Sequence, residues 1–432
     1  MQRLENWEPE NETFWETKGK AIARRNLWIS IPALLLAFAV WQLWSVIAVN
    51  LNAVGFQYTT EQLFTLAAIP GLTGATARFF YSFAVPIFGG RNWTVFSTAS
   101  LLIPTVGIGL AVQNPDTSFA TMAILAAFCG LGAGNFASST SHISFLFPKR
   151  IKGAALGLNA GLGNLGVSVV QFFAPLVIAV SIFGSLGTSQ MIVKEGVQQQ
   201  MYLQNAAFIW VVPIILTTIA AFFGMNNLET SKASLREQVV VLKHKHTWIM
   251  SWLYTMCFGS FIGYSAAFPL LVKTQFADIN VLKLAFIGPL LGAICRPMGG
   301  WIADRAGGAR ITTWCIVVMA TASLGVIWFM EKNIFAGFFV MFMLIFAAAG
   351  IMNGSTFRMV PIIFPPKEAA VVLGITSSFA AYAAYFIPMS FSWSLQITSS
   401  PNAALVAFIG FYTISLGLNW YYYDRSHAEV KC

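Results

Sequence analysis

The sequence predicts an all-α membrane protein of about twelve transmembrane helices in two pseudo-symmetric six-helix halves. With 432 residues, 57% hydrophobic and only 9% charged, the chain cannot hide its apolar surface in a soluble core. Apolar runs long enough to cross a bilayer recur about twelve times. Landmarks of the first half also return in the second. Arg78 stands eleven residues before Gly89-Gly90, and Arg296 eleven residues before Gly307-Gly308. Phe147-Pro148 and Leu156-Gly157 have counterparts in Phe364-Pro365 and Leu373-Gly374, and every separation is 217 or 218 residues. Four anchors at one offset indicate internal duplication.

Taken in order, residues 1–26 are polar and charged, with no cleavable signal pattern, so the first apolar run is expected to span the membrane. The expected spans of the first half, residues 1–225, are 27–50, 63–88, 93–112, 119–147, 154–183 and 204–225. A polar connection, 226–247, is the natural linker. The second half, 248–432, holds 248–272, 281–303, 312–330, 334–364, 368–397 and 401–423. With the N-terminus in the cytoplasm, the outside carries only Lys194, Lys273, Lys283 and Lys332. Arg78, Arg296 and Arg358 fall within spans, and every other Lys and Arg faces inward. The positive-inside rule therefore places both termini in the cytoplasm. Phe38, Trp41 and Trp44 of the first span read as packing and interface anchors.

The net charge of +9 is dispersed between apolar segments, which suits topology rather than nucleic acid. Cys129, Cys257, Cys295, Cys315 and Cys432 show no CxxC spacing or histidine partners, so neither a disulfide framework, a metal site nor a cofactor is expected. The expected partner of the spans is the lipid bilayer, and the expected state is a monomer. No Ser/His/Asp set, carboxylate pair or nucleotide loop lies in the spans, which argues against an enzyme.

The chemistry concentrates on two arginines. Eleven residues of helix rise roughly 16 Å, about half of a ~30 Å hydrocarbon core, so Arg78 and Arg296 lie near the midplane. An arginine there costs at least ~2.5 kcal/mol and marks a functional site by default. No Asp or Glu occupies the centre of any span. The simplest counter-ion is an anionic substrate, and a guanidinium fork suits a planar oxyanion. In the fifth span, Gly157-Leu158-Asn159-Ala160-Gly161-Leu162-Gly163-Asn164-Leu165-Gly166 combines dense glycine with a midspan amide. The glycines, Gly161 and Gly163 among them, serve either tight helix packing or contact with a small ligand. Asn164 favours the ligand, since its NH₂ group can donate to an anion. His142, in the fourth span, is either a packed neutral histidine or a proton-coupling group. Arg358 lies nearer the inner end, where gating or attraction of anions is expected.

Parallel six-span repeats are the layout of a major facilitator fold. Asp304-Arg305, Gly307, Gly308 and Arg310, counted from Gly300, resemble that superfamily's loop motif; the first half keeps only Gly89-Gly90-Arg91. Gly132-Ala133-Gly134-Asn135-Phe136-Ala137-Ser138-Ser139, the run Gly157 to Gly166, and Arg78 with Tyr81 and Pro86 resemble the nitrate/nitrite porter family, in its bacterial NarK-like branch. The resemblance implies that Arg78 and Arg296 clamp the anion, that Asn164 and Tyr254 hydrogen-bond to it, and that Phe136 and Phe258 close over it. One departure stands in the eleventh span, where Ala380, Ala383 and Ala384 replace expected glycines and predict looser closure.

The function expected is secondary active transport by alternating access, exchanging nitrate and nitrite. Two guanidinium groups brought to ~8 Å at an effective dielectric near 20 repel by about 2 kcal/mol. A carrier relieved of that repulsion by its anion switches mainly when loaded, which is exchange. A nitrate/proton symporter using His142 is the alternative. An anion sensor would share the site but add a signalling extension, and a channel would show a continuous polar pathway.

Overall fold

The computed structural model describes residues 3–4, 6–184, 187–194, 197–228 and 240–432. Among them are twelve helices long and apolar enough to cross a membrane: Glu12–Val54, Thr60–Phe88, Gly90–Ala111, Phe119–Leu146, Lys149–Val177, Asn205–Gly224, Lys245–Gln275, Val281–Ala306, Gly308–Glu331, Phe335–Ile363, Val371–Thr398 and Asn402–Asp424. The protein is an all-α, multi-pass membrane protein of the expected class. Helix ends differ from expectation by several residues. The first helix starts at Glu12 rather than 27, because Phe14 and Trp15 of its opening turns pack on the buried cluster that holds Leu146 and Phe147. The fifth runs Lys149–Val177 rather than 154–183, since Pro148, in extended backbone, cannot continue a helix but readily precedes one. The middle of the 226–247 connection, with Lys232 and Arg236, lies outside the described residues.

Chain contacts divide the molecule into two units. One comprises Met1–Leu43, Asn50–Phe56 and Thr73–Glu237; the other comprises Trp44–Val49, Gln57–Leu72 and Gln238–Cys432.

In the first unit, the polar N-terminal segment is tied down rather than loose. Arg3–Leu4 pairs in parallel with Asn227–Leu228, just after the sixth helix. Trp7 and Trp15 are buried with Leu27, Leu146, Phe147 and Leu228. Glu10 Oε1 accepts a hydrogen bond from the Lys149 N–H at 3.0 Å. That N–H is one of the orphan donors that open the fifth helix, and a carboxylate there also meets the helix dipole favourably. Between the fifth and sixth helices, Gln190–Lys194 and Val197–Met201 form an antiparallel hairpin.

In the second unit, the C-terminal tail folds back on its own helices. Lys245 Nζ lies 2.6 Å from Glu429 Oε1, His246 Nδ1 lies 2.9 Å from the Tyr423 hydroxyl, and the Ala309 N–H donates to the Cys432 carbonyl at 3.3 Å.

Each unit turns its chain on one of the repeated glycine pairs. Gly89 (φ 84°) and Gly307 (φ 91°) both adopt positive φ between consecutive helices, a conformation that L side chains avoid. The second glycine of each pair permits close approach. A Cβ on Gly90 would lie 1.8 Å from His142 Nδ1, and one on Gly308 would lie 2.7 Å from Met359 Cγ. The repeat seen in the letters is thus a repeated backbone geometry.

Candidate functional site

In the first unit, Arg78 is fully buried on the second helix. Its Nε donates to the Ala133 carbonyl at 3.0 Å. The guanidinium carbon lies 4.9 Å from the centre of the Phe136 ring and 5.4 Å from that of Trp41, both within cation–π range. Phe38 supports both rings, meeting Phe136 edge-on at 6.3 Å and Trp41 at 5.6 Å. The aromatic-rich first helix therefore supplies a platform for the arginine as well as packing. Tyr81 is structural. Its ring lies against Gly134, where a Cβ would sit 2.5 Å away, and meets Trp93 edge-on at 4.8 Å.

The fifth-helix glycines divide by their surroundings. A Cβ on Gly163 would lie 2.6 Å from the Leu34 side chain, and one on Gly166 would lie 2.0 Å from the Leu35 carbonyl oxygen. These two seat the fifth helix against the first. Gly157 and Gly161 have nothing within 4 Å of such a Cβ. Asn164 is buried, and its Oδ1 has no hydrogen-bond partner among the described residues. A half-turn of the amide brings its two N–H donors to that point. Asn159, five residues earlier, is committed elsewhere, donating to Ser139 Oγ at 2.8 Å.

His142 is buried in a chain of amides. Its Nε2 lies 3.3 Å from Asn26 Oδ1, which also accepts from the Asn226 N–H at 2.9 Å. An amide oxygen only accepts, so Nε2 carries the proton. Nδ1 faces Gly90 and has no partner among the described residues.

The second unit builds its arginine site on an irregular helix. Lys245–Tyr254 and Ser260–Gln275 are joined by one π-helical turn, Thr255–Gly259. Such turns recur at functional sites because they shift side-chain register. Tyr254 stands just before the turn and Phe258 within it, their rings stacked at 5.5 Å and 4°. Arg296 is buried and reaches Tyr254, with Nη2 3.5 Å from the hydroxyl. Its guanidinium carbon lies 4.8 Å from the centre of the Phe357 ring, which also touches Tyr254 at 4.9 Å. Arg296 Nη1 is buried with no hydrogen-bond partner among the described residues. Phe357, one residue before Arg358, carries no signal in the sequence that marks it as the ring beneath Arg296.

Arg358 forms an ion pair with Asp304, the acidic residue of the loop motif. The alanines of the eleventh helix also find an explanation. A Cβ on Gly259 would lie 2.6 Å from Ala383 Cβ, and one on Gly263 would lie 2.8 Å from the Ala383 carbonyl oxygen. The seventh helix supplies the glycines that the eleventh lacks, so the small-on-small contact survives with the partners exchanged.

Comparison with known proteins follows the same lines. Residues 29–389 match the model of the Major Facilitator Superfamily. The nitrate/nitrite transporter NarU of Escherichia coli K12 is 48% identical, over 99% of this chain and 97% of that protein. The probable nitrate/nitrite antiporter NarK2 of Thermus thermophilus is 41% identical, over 99% and 98%. Among solved structures, a D-xylose-proton symporter superposes with a TM-score of 0.68 at 16% identity, over 91% of this chain and 96% of that one.

Proposed function

Because the chain belongs to the major facilitator superfamily, and within it to the bacterial nitrate/nitrite transporters, we propose that it is a secondary transporter exchanging nitrate and nitrite. It works in the bacterial cytoplasmic membrane by alternating access, with both termini in the cytoplasm and 1–225 and 248–432 as its two halves. The anion is held by Arg78 from one half and Arg296 from the other. Asn164 and Tyr254 donate hydrogen bonds to it, Gly161 leaves room beside it, and Phe136 and Phe258 cover it.

The observation that carries this reading is Arg296. A buried guanidinium fixed over Phe357 and steered by Tyr254, with Nη1 still lacking a partner among the described residues, holds a donor in reserve. A buried donor without a partner is costly, and an oxyanion supplies the acceptor with its charge. In the same role Arg78 is held over two rings by a bond from Nε to a backbone carbonyl, which steadies the head group for an anion.

Exchange is favoured over proton symport by the setting of His142. A proton added at Nδ1 would place a charge beside Gly90 with no acceptor among the described residues. The test is uptake of isotopic nitrate into liposomes. Uptake is expected to require nitrate or nitrite inside and to ignore an imposed pH gradient. Uptake into anion-free liposomes driven by inward-directed protons and abolished by His142→Asn would replace exchange with symport.

A further inference from the structure

A second polar site lies inside the first unit, apart from Arg78. Ser30 follows Asn26 by four residues and Ser138 precedes His142 by four, so both lie one helical turn from the Asn26–His142 contact. Between them is a cavity of about 10 Å³, lined also by Leu34, Thr94, Ser97 and Asn135. It has room for one water and nothing larger. Ser30 Oγ and Asn135 Oδ1 are buried with no hydrogen-bond partner among the described residues. Ser97 and Ser138 make only long bonds, at 3.4 Å, to carbonyls of their own helices, so both hydroxyls can turn toward the cavity. Native interiors rarely leave such groups unsatisfied, and where no side chain serves them an internal water does.

We propose that this cavity is a binding site for a single internal water joining the first, third and fourth helices. The water donates to Asn135 Oδ1 and to Ser30 Oγ and accepts from the Ser97 or Ser138 hydroxyl, which completes its bonds. It extends the chain Asn226–Asn26–His142 by one turn, giving this unit a polar seam separate from the arginine. Because a water re-forms its bonds within small displacements, the three helices can shift against each other without stranding a polar group.

The site is tested by radiolytic labelling of the full-length protein in lipid nanodiscs. Hydroxyl radicals made from a bound water oxidise the side chain next to it, however well that side chain is buried. Leu34 lines the cavity, and Leu36 of the same helix, also buried, is the reference. Leu34 is expected to be labelled at least tenfold faster than Leu36. Ser97→Val and, separately, Ser30→Val fill the cavity from different helices, and either is expected to bring Leu34 down to the rate of Leu36. Equal rates for Leu34 and Leu36 in the unsubstituted protein overturn the proposal. So does fast Leu34 labelling that persists in either variant when that variant elutes as a single folded species. Should neither variant fold, the two leucines of the unsubstituted protein decide alone.

Discussion

Arg296→Lys separates charge from shape. Lysine keeps the positive charge but presents a point donor in place of the planar fork. In the structure Nη2 reaches Tyr254, and Nη1 has no hydrogen-bond partner among the described residues. An ammonium cannot serve both directions with fixed geometry. Loss of one charge-assisted hydrogen bond removes about 1.5–3 kcal/mol. The weaker hold over the Phe357 ring removes about 0.5–1 kcal/mol more. The sum, about 2–4 kcal/mol, corresponds to a roughly 30- to 900-fold loss of affinity. The assay is nitrate counterflow in liposomes over a range of concentrations, with elution profile and melting curve as controls for folding. A folded Arg296→Lys protein that binds nitrate within threefold of the unsubstituted one refutes the fork, and charge alone then accounts for the site.

Further outcomes follow from the same geometry. Asn164→Ala is expected to weaken nitrate binding by about 1.5–3 kcal/mol, the range for a hydrogen bond to a charged group, and unchanged affinity assigns Asn164 to packing. Gly166→Ala forces a Cβ to 2.0 Å from a backbone oxygen and is expected to cost about 1–3 kcal/mol of stability. Gly161→Ala meets nothing within 4 Å, so it should melt at or above the unsubstituted temperature yet transport at least fivefold more slowly; full transport removes Gly161 from the anion's path. In the tail, the hydrogen bond from Lys245 holds the Glu429 carboxyl below its ordinary value of 4.5. A depressed carboxylate stabilises the docked tail above that value and ceases to do so as pH falls through the lower, folded one. Hydrogen exchange at the Val430 and Cys432 amides, corrected for intrinsic rate, should show protection at neutral pH that is lost in acid. Glu429→Gln should flatten that dependence.

Much of this was legible in the letters because membranes punish exceptions. An arginine eleven residues from a loop, with no midspan acid, has few structural explanations, and Arg78 and Arg296 are both buried as that implies. The glycine pairs were legible as anchors, although only the backbone shows that the first glycine serves φ and the second serves contact. What was hidden depended on partners distant in sequence. Phe357 reads as one more phenylalanine among 38 until Arg296 is placed over it. The π-helical turn leaves no mark in residue type. The partner of Arg358 was hidden because Asp304 lies 54 residues away. Gly259 and Gly263 compensate for alanines on a helix more than a hundred residues later, which no local pattern reveals.

The pairing of Arg3–Leu4 with Asn227–Leu228 sets an order of events during synthesis. Arg3 and Leu4 acquire their partner only after more than two hundred further residues have been made. At ~5–20 residues per second, that interval is roughly 10–45 s. Until then Trp7 and Trp15 lack Leu228, the last member of the cluster that buries them. Within the first unit this segment is therefore among the last to settle, and its docking reports that the sixth helix has been delivered.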